Sequence, residues 1–396
     1  MDYSLNEEQR MLKKTVADVL GRFEPKREQM QREIFKEKKF PRDLWNAMAE
    51  IGVMGCLVPE EYEGNNMGLL PFALAMDEMG SRGFGNALMV VTAMDTACIV
   101  RNASEDVKKR YLPDIASGNS MFCFAITEPD AGSNAFRIAT QATHNGSVYK
   151  LNGQKVFITG ADVADYMLVV ARTTPYEDLK DKGLAKGAGM SLFIVDTKAK
   201  GIEMRTIPTR GIEGMTQWHL FFDDVEVPAE DLVGEPDQGA TALFNSLNTE
   251  RILAGAIAVG TSDYLIRRAV EYANERKVFE GRPIGSYQAI SHPLAELKAH
   301  TEAARLMTYQ AAQAFDLDDD PADVGAKANM AKYLAAEVAI GAADQAIETL
   351  GGYGFSEEYG IIYFWENMRL LRTAPVTKEM ILNFIAERVL GLPRSY

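Results

Sequence analysis

The chain reads as an α+β protein with an N-terminal α-helical domain (1–120), a middle antiparallel β domain (121–236) and a C-terminal four-helix bundle (237–396). Three observations carry this reading. Apolar residues recur at helical spacing up to about Ser120. Near Met121 the pattern gives way to short β-branched and aromatic runs divided by turn residues. From about Gln238 long helical patterns return, with no internal repeat. At 396 residues the chain also exceeds what one ordinary core can bury.

In the first segment, Leu5–Phe23 sets Met11, Leu12, Val16, Val19, Leu20 and Phe23 three to four residues apart. Pro41 is expected to open a second helix at its first turn. Between them, "EPKREQMQREIFKEKKFPRD" is dense in charge and reads as a solvated helix face or connection. "LPFALAMDEMGS" and "VKKRYLPDIASG" lie in further helices. The strands expected next are "MFCFAIT", "SVYKLNG", "QKVFITG", "YMLVVART", "SLFIVDT", "IEMRTI" and "WHLFFDDVEV". "HNGS" and "LNGQ" read as hairpin turns, and "YEDLKDKGLAKGAG" as a long polar excursion. Helices are expected over 239–275, 292–315, 325–350 and 377–390.

Composition narrows the function. A net charge of −14 argues against nucleic acid or anionic lipid as partner, so phosphates on a ligand would need local Arg and backbone N–H groups. No apolar run approaches a membrane span, and the acidic start "MDYSLNEEQRMLKK" has no signal core, so a cytoplasmic location is expected. Cys56, Cys98 and Cys123 are widely spaced and read as buried free thiols. The four histidines show no metal-ligand spacing. Neither GxGxxG after a strand nor GxxxxGK[ST] occurs, which disfavours a nicotinamide Rossmann site and a P-loop.

Several stretches could carry chemistry. "FAITEPDAGSN" (124–134) ends a strand in a loop of small residues, which suits close approach to a phosphate or flat ring, or serves as a plain connection. "VFITGA" (156–161) ends another strand in Thr159 and a Gly. "ERKVFEGRPIGSYQAI" (275–290) carries Arg276, Phe279 and Gln288 between two helices. "LGGYGF" (350–355) is a Gly-rich break that a simple helix C-cap would also explain. In "NSLNTERILAGAIAVGTSD" the pair Glu250–Arg251 precedes a run without charge from Ile252 to Ser262. An acid there is either functional or a first-turn acid favoured by the helix dipole.

Together, "ITEPDAGSN", "ERKVF…QAI" and "AIETLGGYGF", in this order and spacing, resemble the acyl-CoA dehydrogenase family over essentially the whole chain. The resemblance implies FAD held between the β domain and the C-terminal helices, and a homo-oligomer, usually a tetramer, whose subunits share cofactor contacts. It implies that Phe124, Ile126, Thr127, Gly132 and Ser133 line the flavin and pyrophosphate, and that Phe157, Ile158 and Thr159 flank the ring. Arg276, Phe279, Gln288, Gly351 and Gly352 would reach a neighbouring subunit's cofactor, and Glu348 and Thr377 are also assigned to FAD. Asn248, Arg251 and Ser133 are assigned to the acyl-CoA, Arg251 to its CoA moiety. The reaction implied is α,β-desaturation of an acyl-CoA thioester, within fatty-acid and lipid metabolism, with an electron-transfer flavoprotein as acceptor.

Many relatives carry the catalytic Glu in a C-terminal "YEGT" motif. Here that position reads Ala374, Pro375, Val376 and Thr377, with no carboxylate. A minority of the family, the isovaleryl- and long-chain-type enzymes, place the base on the helix that begins "xERxxxA". That position is Glu250, beside Arg251. Pro375 also removes a backbone N–H that in the family polarises the thioester carbonyl. Further departures are Glu348 for a usual Gln, Glu366-Asn367 for Arg-Asp, and Phe157 for a frequent Trp. Altered chemistry on the same fold, as an oxidase or monooxygenase, or a non-catalytic scaffold, are the competing readings.

Overall fold

The computed structural model describes residues 5–212 and 214–394, so the first four residues of the acidic N-terminal stretch lie outside the described residues. Six helices open the chain: α1 (Glu7–Gly21), α2 (Arg27–Phe35), α3 (Arg42–Glu50), α4 (Leu69–Ser81), α5 (Ala87–Asn102) and α6 (Glu105–Ala116). A capping box starts α1: Gln9 N–H donates to Asn6 Oδ1 at 2.8 Å, and Asn6 N–H to Gln9 Oε1 at 3.0 Å. Leu12, Val16, Val19 and Leu20 form its buried stripe, whereas Met11, one position off that stripe, is 63% exposed. The charged stretch after α1 is more than a solvated face. It forms α2, which buries Gln31 and Ile34, and Gln31 Nε2 donates to the Gly83 carbonyl at 2.9 Å. Pro41 takes the N-cap of α3 rather than its first turn.

The middle segment contains β1 (Phe122–Ala125), β2 (Gln141–Asn145), β3 (Val148–Thr159), β4 (Tyr166–Arg172), the short α7 (Asp178–Asp181), β5 (Met190–Asp196), β6 (Ile202–Ile207), β7 (Gln217–Pro228) and β8 (Leu232–Val233). The sheet runs β6-β7-β3-β2-β4-β5-β8, with β1 on β4. It is mostly antiparallel, but β1 runs parallel to β4 and a single β2–β4 pairing is parallel. "HNGS" is the β2–β3 hairpin. "LNGQ" is not a turn: β3 continues through it, and the Gly153 region absorbs a register shift against β7. A Cβ on Gly153 would stand 2.6 Å from Thr140 Oγ1, so glycine there serves a bulge with close approach.

The chain then returns to helices: α8 (Gly239–Glu275), the two-stranded hairpin β9 (Lys277–Val278) and β10 (Arg282–Pro283), α9 (Gln288–Asp316), α10 (Pro321–Leu350), α11 (Ile361–Leu370) and α12 (Lys378–Phe384). The helices α9 and α10 each start four residues earlier than their apolar patterns; at α10 the Asp320 side chain caps the start by accepting from Ala322 N–H at 2.8 Å. A π-helical turn over Ile385–Val389 follows α12. The small-residue run in α8 has a packing reason. A Cβ on Gly260 would lie 2.1 Å from the Asp77 carbonyl, and one on Gly80 2.5 Å from that of Ile257, so α4 and α8 meet backbone to backbone. The crossing is tied by Arg305 of α9, which donates to Asp77 at 2.7 Å and to Asp263 at 2.5 Å. All three cysteines are buried free thiols. Among the described residues no helix is long and apolar enough to cross a membrane.

Candidate active site

Glu250 and Arg251 lie in the first third of α8, where α5 and α10 pack against it. Arg251 Nη1 donates to Oδ1 of the buried Asn248 at 2.7 Å, one turn earlier. Glu250 is half-buried, and burial pushes its carboxyl up to about 7, against the opposing pull of Arg251 and Lys332. Lys332, from the middle of α10, is itself buried, and burial lowers its ammonium to about 8. Its Nζ donates to the Leu371 carbonyl and, at 2.6 Å, to that of Val376. One lysine thus ties down the Ala374–Val376 segment while its charge acts on Glu250. The Ala374–Pro375 peptide is cis. Thr377 N-caps α12, its hydroxyl accepting from Met380 N–H at 3.3 Å. It borders a cleft of about 330 Å³ with Arg369, Arg372, Thr373, Lys378 and Glu379.

Of the seven buried polar side-chain atoms without partners among the described residues, four stand beside Glu250 or on the helix facing it. These four are both carboxyl oxygens of Asp95 on α5, the hydroxyl of Thr249 and Nε of Arg251; the others are Arg27 Nε, Asn86 Nδ2 and the Tyr363 hydroxyl. Glu250 and Asp95 face each other closely enough for the Glu250 charge to raise the Asp95 carboxyl, which burial already holds well above the usual carboxylate range. Native chains seldom leave such groups unmade. Their clustering on two facing helices marks a place built for a bound molecule.

The "TEPDAGSN" loop is pinned from below. Glu128 accepts from Lys155 Nζ at 2.7 Å, Ala139 N–H at 2.6 Å and Thr140 N–H at 3.0 Å. Lys155 also donates to the Ile126 carbonyl at 3.1 Å. Above this pin Gly132 and Ser133 are exposed, and a Cβ added at Gly132 would meet nothing within 4 Å. Phe124, Ile126 and Thr127 are half-buried along the strand and loop leading to them. Phe157 stands 57% exposed at φ 57°, in the register shift between Lys155 and Ile158. A large ring held in the left-handed region and turned to solvent suits a flat ligand. Thr159 shares a side-chain hydrogen bond with Gln217, whereas the side chain of Ile158 is spent in the core, leaving only its backbone for a cofactor. An open glycine backbone beside an exposed aromatic fits FAD.

The remaining expected cofactor residues lie elsewhere. Arg276, Phe279 and Gln288 are exposed, and Arg276 stands about 25 residues past Arg251, roughly 38 Å along a helix axis. Glu348, Gly351 and Gly352 are exposed at the same end, where Tyr272 of α8 packs on Tyr353 with ring centroids 6.3 Å apart. Gly351 is also the C-cap of α10, at φ 59°. Sequence reasoning did not single out Lys332, Asp95 or the Glu128–Lys155 pair. Asp95 had a signal, a lone acid in the apolar window "VVTAMDTACIV", of the same kind that marked Glu250. Among the described residues no cluster of His, Cys, Asp and Glu could hold a metal.

Three family descriptions match consecutive parts of the chain: the acyl-CoA dehydrogenase N-terminal domain over residues 6–119, the middle domain over 123–225 and the C-terminal domain over 237–390. An acyl-CoA dehydrogenase of Mycobacterium tuberculosis is 41% identical over 392 residues, covering 99% of this chain and 98% of the relative. A solved glutaryl-coenzyme A dehydrogenase in complex with glutaryl-CoA superposes with a TM-score of 0.88 at 31% identity, covering 100% of this chain and 98% of the other. A chain of an electron-transferring flavoprotein structure from Acidaminococcus fermentans superposes at 0.89 with 30% identity, covering 98% and 100%.

Proposed function

The chain belongs to the acyl-CoA dehydrogenase family, is FAD-dependent, and on that footing we propose that Glu250 is the base that takes the α-proton of an acyl-CoA thioester to yield the trans-2-enoyl-CoA. The observation that carries this is Glu250 itself. It is a half-buried carboxyl raised to about 7 beside Arg251 and Lys332, while residues 374–377 hold no carboxylate. A base near neutral takes a weakly acidic proton better than an ordinary glutamate does.

FAD, when bound, supplies the hydride acceptor. Phe124, Ile126, Thr127, Gly132 and Ser133 would hold it from the loop above Glu128, with Phe157, the Ile158 backbone and Thr159 against its ring. Arg251, oriented by Asn248, would bind the CoA phosphates, with Ser133 near them. Lys332 pulls the Glu250 carboxyl down against burial and fixes the segment around Pro375, which has no N–H to give the thioester oxygen.

A homo-oligomer, tetrameric by resemblance, belongs to the same proposal. Arg276, Phe279, Gln288, Glu348, Gly351 and Gly352 lie too far along the bundle to serve the cofactor beside their own Glu250. Phe279, 81% exposed, and Phe355, 67% exposed, are apolar surface for a second copy. An electron-transfer flavoprotein is the proposed acceptor by resemblance to the family, in keeping with the similar chain of an electron-transferring flavoprotein structure.

The test is anaerobic mixing of the FAD-loaded protein with a panel of short, branched, long and aromatic acyl-CoA esters, following loss of flavin absorbance. At least one ester should bleach the wild type. Glu250→Gln should bind that ester yet bleach about 10²–10⁴-fold more slowly. Bleaching by the variant at the wild-type rate removes Glu250 from the mechanism.

A further inference from the structure

We propose that Asp95 is a specificity-determining residue of this site, and that the acyl group it selects carries an uncharged hydroxyl or carbonyl oxygen where the chain meets α5. The proposal rests on Glu250 being the base, since it is Glu250 that locates the reacting carbon.

The other buried carboxyls of this molecule are all met by donors. Asp77 accepts from Arg305 Nε at 2.7 Å and from the Tyr309 hydroxyl. Asp231 accepts from the Tyr111 hydroxyl at 3.0 Å and pairs with Arg110 at 2.9 Å. Glu128 has Lys155 and two backbone donors. Asp95 is as buried as any of these, at 0% exposure, and neither of its oxygens has a partner. A buried polar group left without a partner destabilises the fold. A chain that satisfies its other buried carboxyls gains nothing structural from this one.

The surroundings say what would satisfy it. On α5, Leu88, Met89, Val90, Met94 and Ile99 are buried apolar residues, and Thr92 spends its hydroxyl on the backbone of Phe122. Burial raises the thiols of Cys98 on α5 and Cys123 on β1, so both stay protonated at neutral pH and offer Asp95 no charge. The charge acting on Asp95 is that of Glu250 on α8, of like sign, while Arg251 and Lys332 act on Glu250. Two facing carboxyls without a cation between them do not both ionise. Glu250, with its two cations, takes the charge and Asp95 keeps its proton. A neutral carboxyl offers one O–H donor and one carbonyl acceptor. A hydroxyl or carbonyl oxygen on the acyl group answers both, and the unpartnered Thr249 hydroxyl beside Glu250 adds a further polar group on the facing helix. A carboxylate tail would be repelled by ionised Glu250, and a plain alkyl tail would leave Asp95 unpaired.

The experiment uses FAD-loaded enzyme and straight-chain acyl-CoA esters of one length, with a hydroxyl moved one carbon at a time away from the thioester. The ratio of kcat/KM for each hydroxy ester to the unsubstituted one is read from anaerobic flavin reduction. Wild type should favour the hydroxyl by about 10- to 100-fold at one position or two adjacent ones. Asp95→Leu should abolish that peak and raise kcat/KM for the unsubstituted ester, and Asp95→Asn should keep part of the peak. A protonated-carboxyl infrared band, absent in Asp95→Asn, should shift when the favoured ester binds. A flat wild-type profile with the unsubstituted ester reducing flavin overturns this proposal alone and needs no variant to fold. An undiminished peak in Asp95→Leu also overturns it. Failure of every ester to reduce flavin overturns the assignment of the base, and this proposal with it.

Discussion

Glu128 and Glu250 are both acids withdrawn from water, and the protein treats them in opposite ways. Glu128, under the 124–134 loop, is met by a lysine and two backbone donors, which hold its carboxyl below the usual range despite burial. Glu250, in the helical domain, is left with burial as the dominant influence, and its carboxyl rises to about 7. Around Glu128 the chain closes its own hydrogen bonds, and around Glu250 it leaves Asp95, Thr249 and Arg251 Nε open. A buried charge that fixes a loop is satisfied by the fold, whereas Glu250, the proposed base, stands among groups kept short of partners that a ligand could supply.

The comparison is tested hardest at Lys155. Lys155→Met strands Glu128 as an unpaired buried charge and should cost about 3–5 kcal/mol in denaturant unfolding, with loss of bound FAD. The Lys155→Met/Glu128→Gln double variant should recover much of that loss. A single-variant cost under about 1 kcal/mol would show that the loop is held by something other than this pair. A smaller effect is expected at Lys332. Its charge pulls Glu250 down, so Lys332→Met should move the acidic midpoint of flavin reduction upward by about one pH unit, and Lys332→Arg should hold it. Equal shifts in both variants would assign the effect to the lost Leu371 and Val376 hydrogen bonds instead.

How far the sequence carried differs between the two regions for the same reason. Apolar periodicity and turn chemistry are local, so α1, the β2–β3 hairpin and the long helices were legible in it. "LNGQ" was misread because a bulge and a turn use the same residues, and only pairing with β7 decides between them. Glu250 could be found because it stands beside Arg251 at the edge of an uncharged run, and because a carboxylate is absent at 374–377. Lys332 and Asp95 could not be joined to it, since they come from α10 and α5 and meet it only across helix packing. Glu128 was in view inside the quoted motif, but its partner Lys155 lies 27 positions away on β3.

The smallest effect separates the two acids most directly, through stability against pH. Folded Glu250 holds its proton up to about 7, whereas the unfolded side chain releases it near 4.5. Between those values the folded state binds more protons, so this group's contribution falls as pH rises through that window and the cost is complete above it. Glu250→Gln removes the cost. Because the residue is partly open to solvent, the gain should be about 1 kcal/mol, a rise of about 1–2 °C in Tm at pH 7.5 and almost none at pH 5. Glu128→Gln should act with the opposite sign. Its carboxyl is held below the ordinary value, so the ionised form stabilises the fold at pH 7.5 and the amide lowers Tm there. Scanning calorimetry of both variants at the two pH values reads the signs side by side. A loss of stability in Glu250→Gln at pH 7.5 would mean that Arg251 and Lys332 satisfy Glu250 as fully as Lys155 satisfies Glu128, and the contrast between the two regions would collapse.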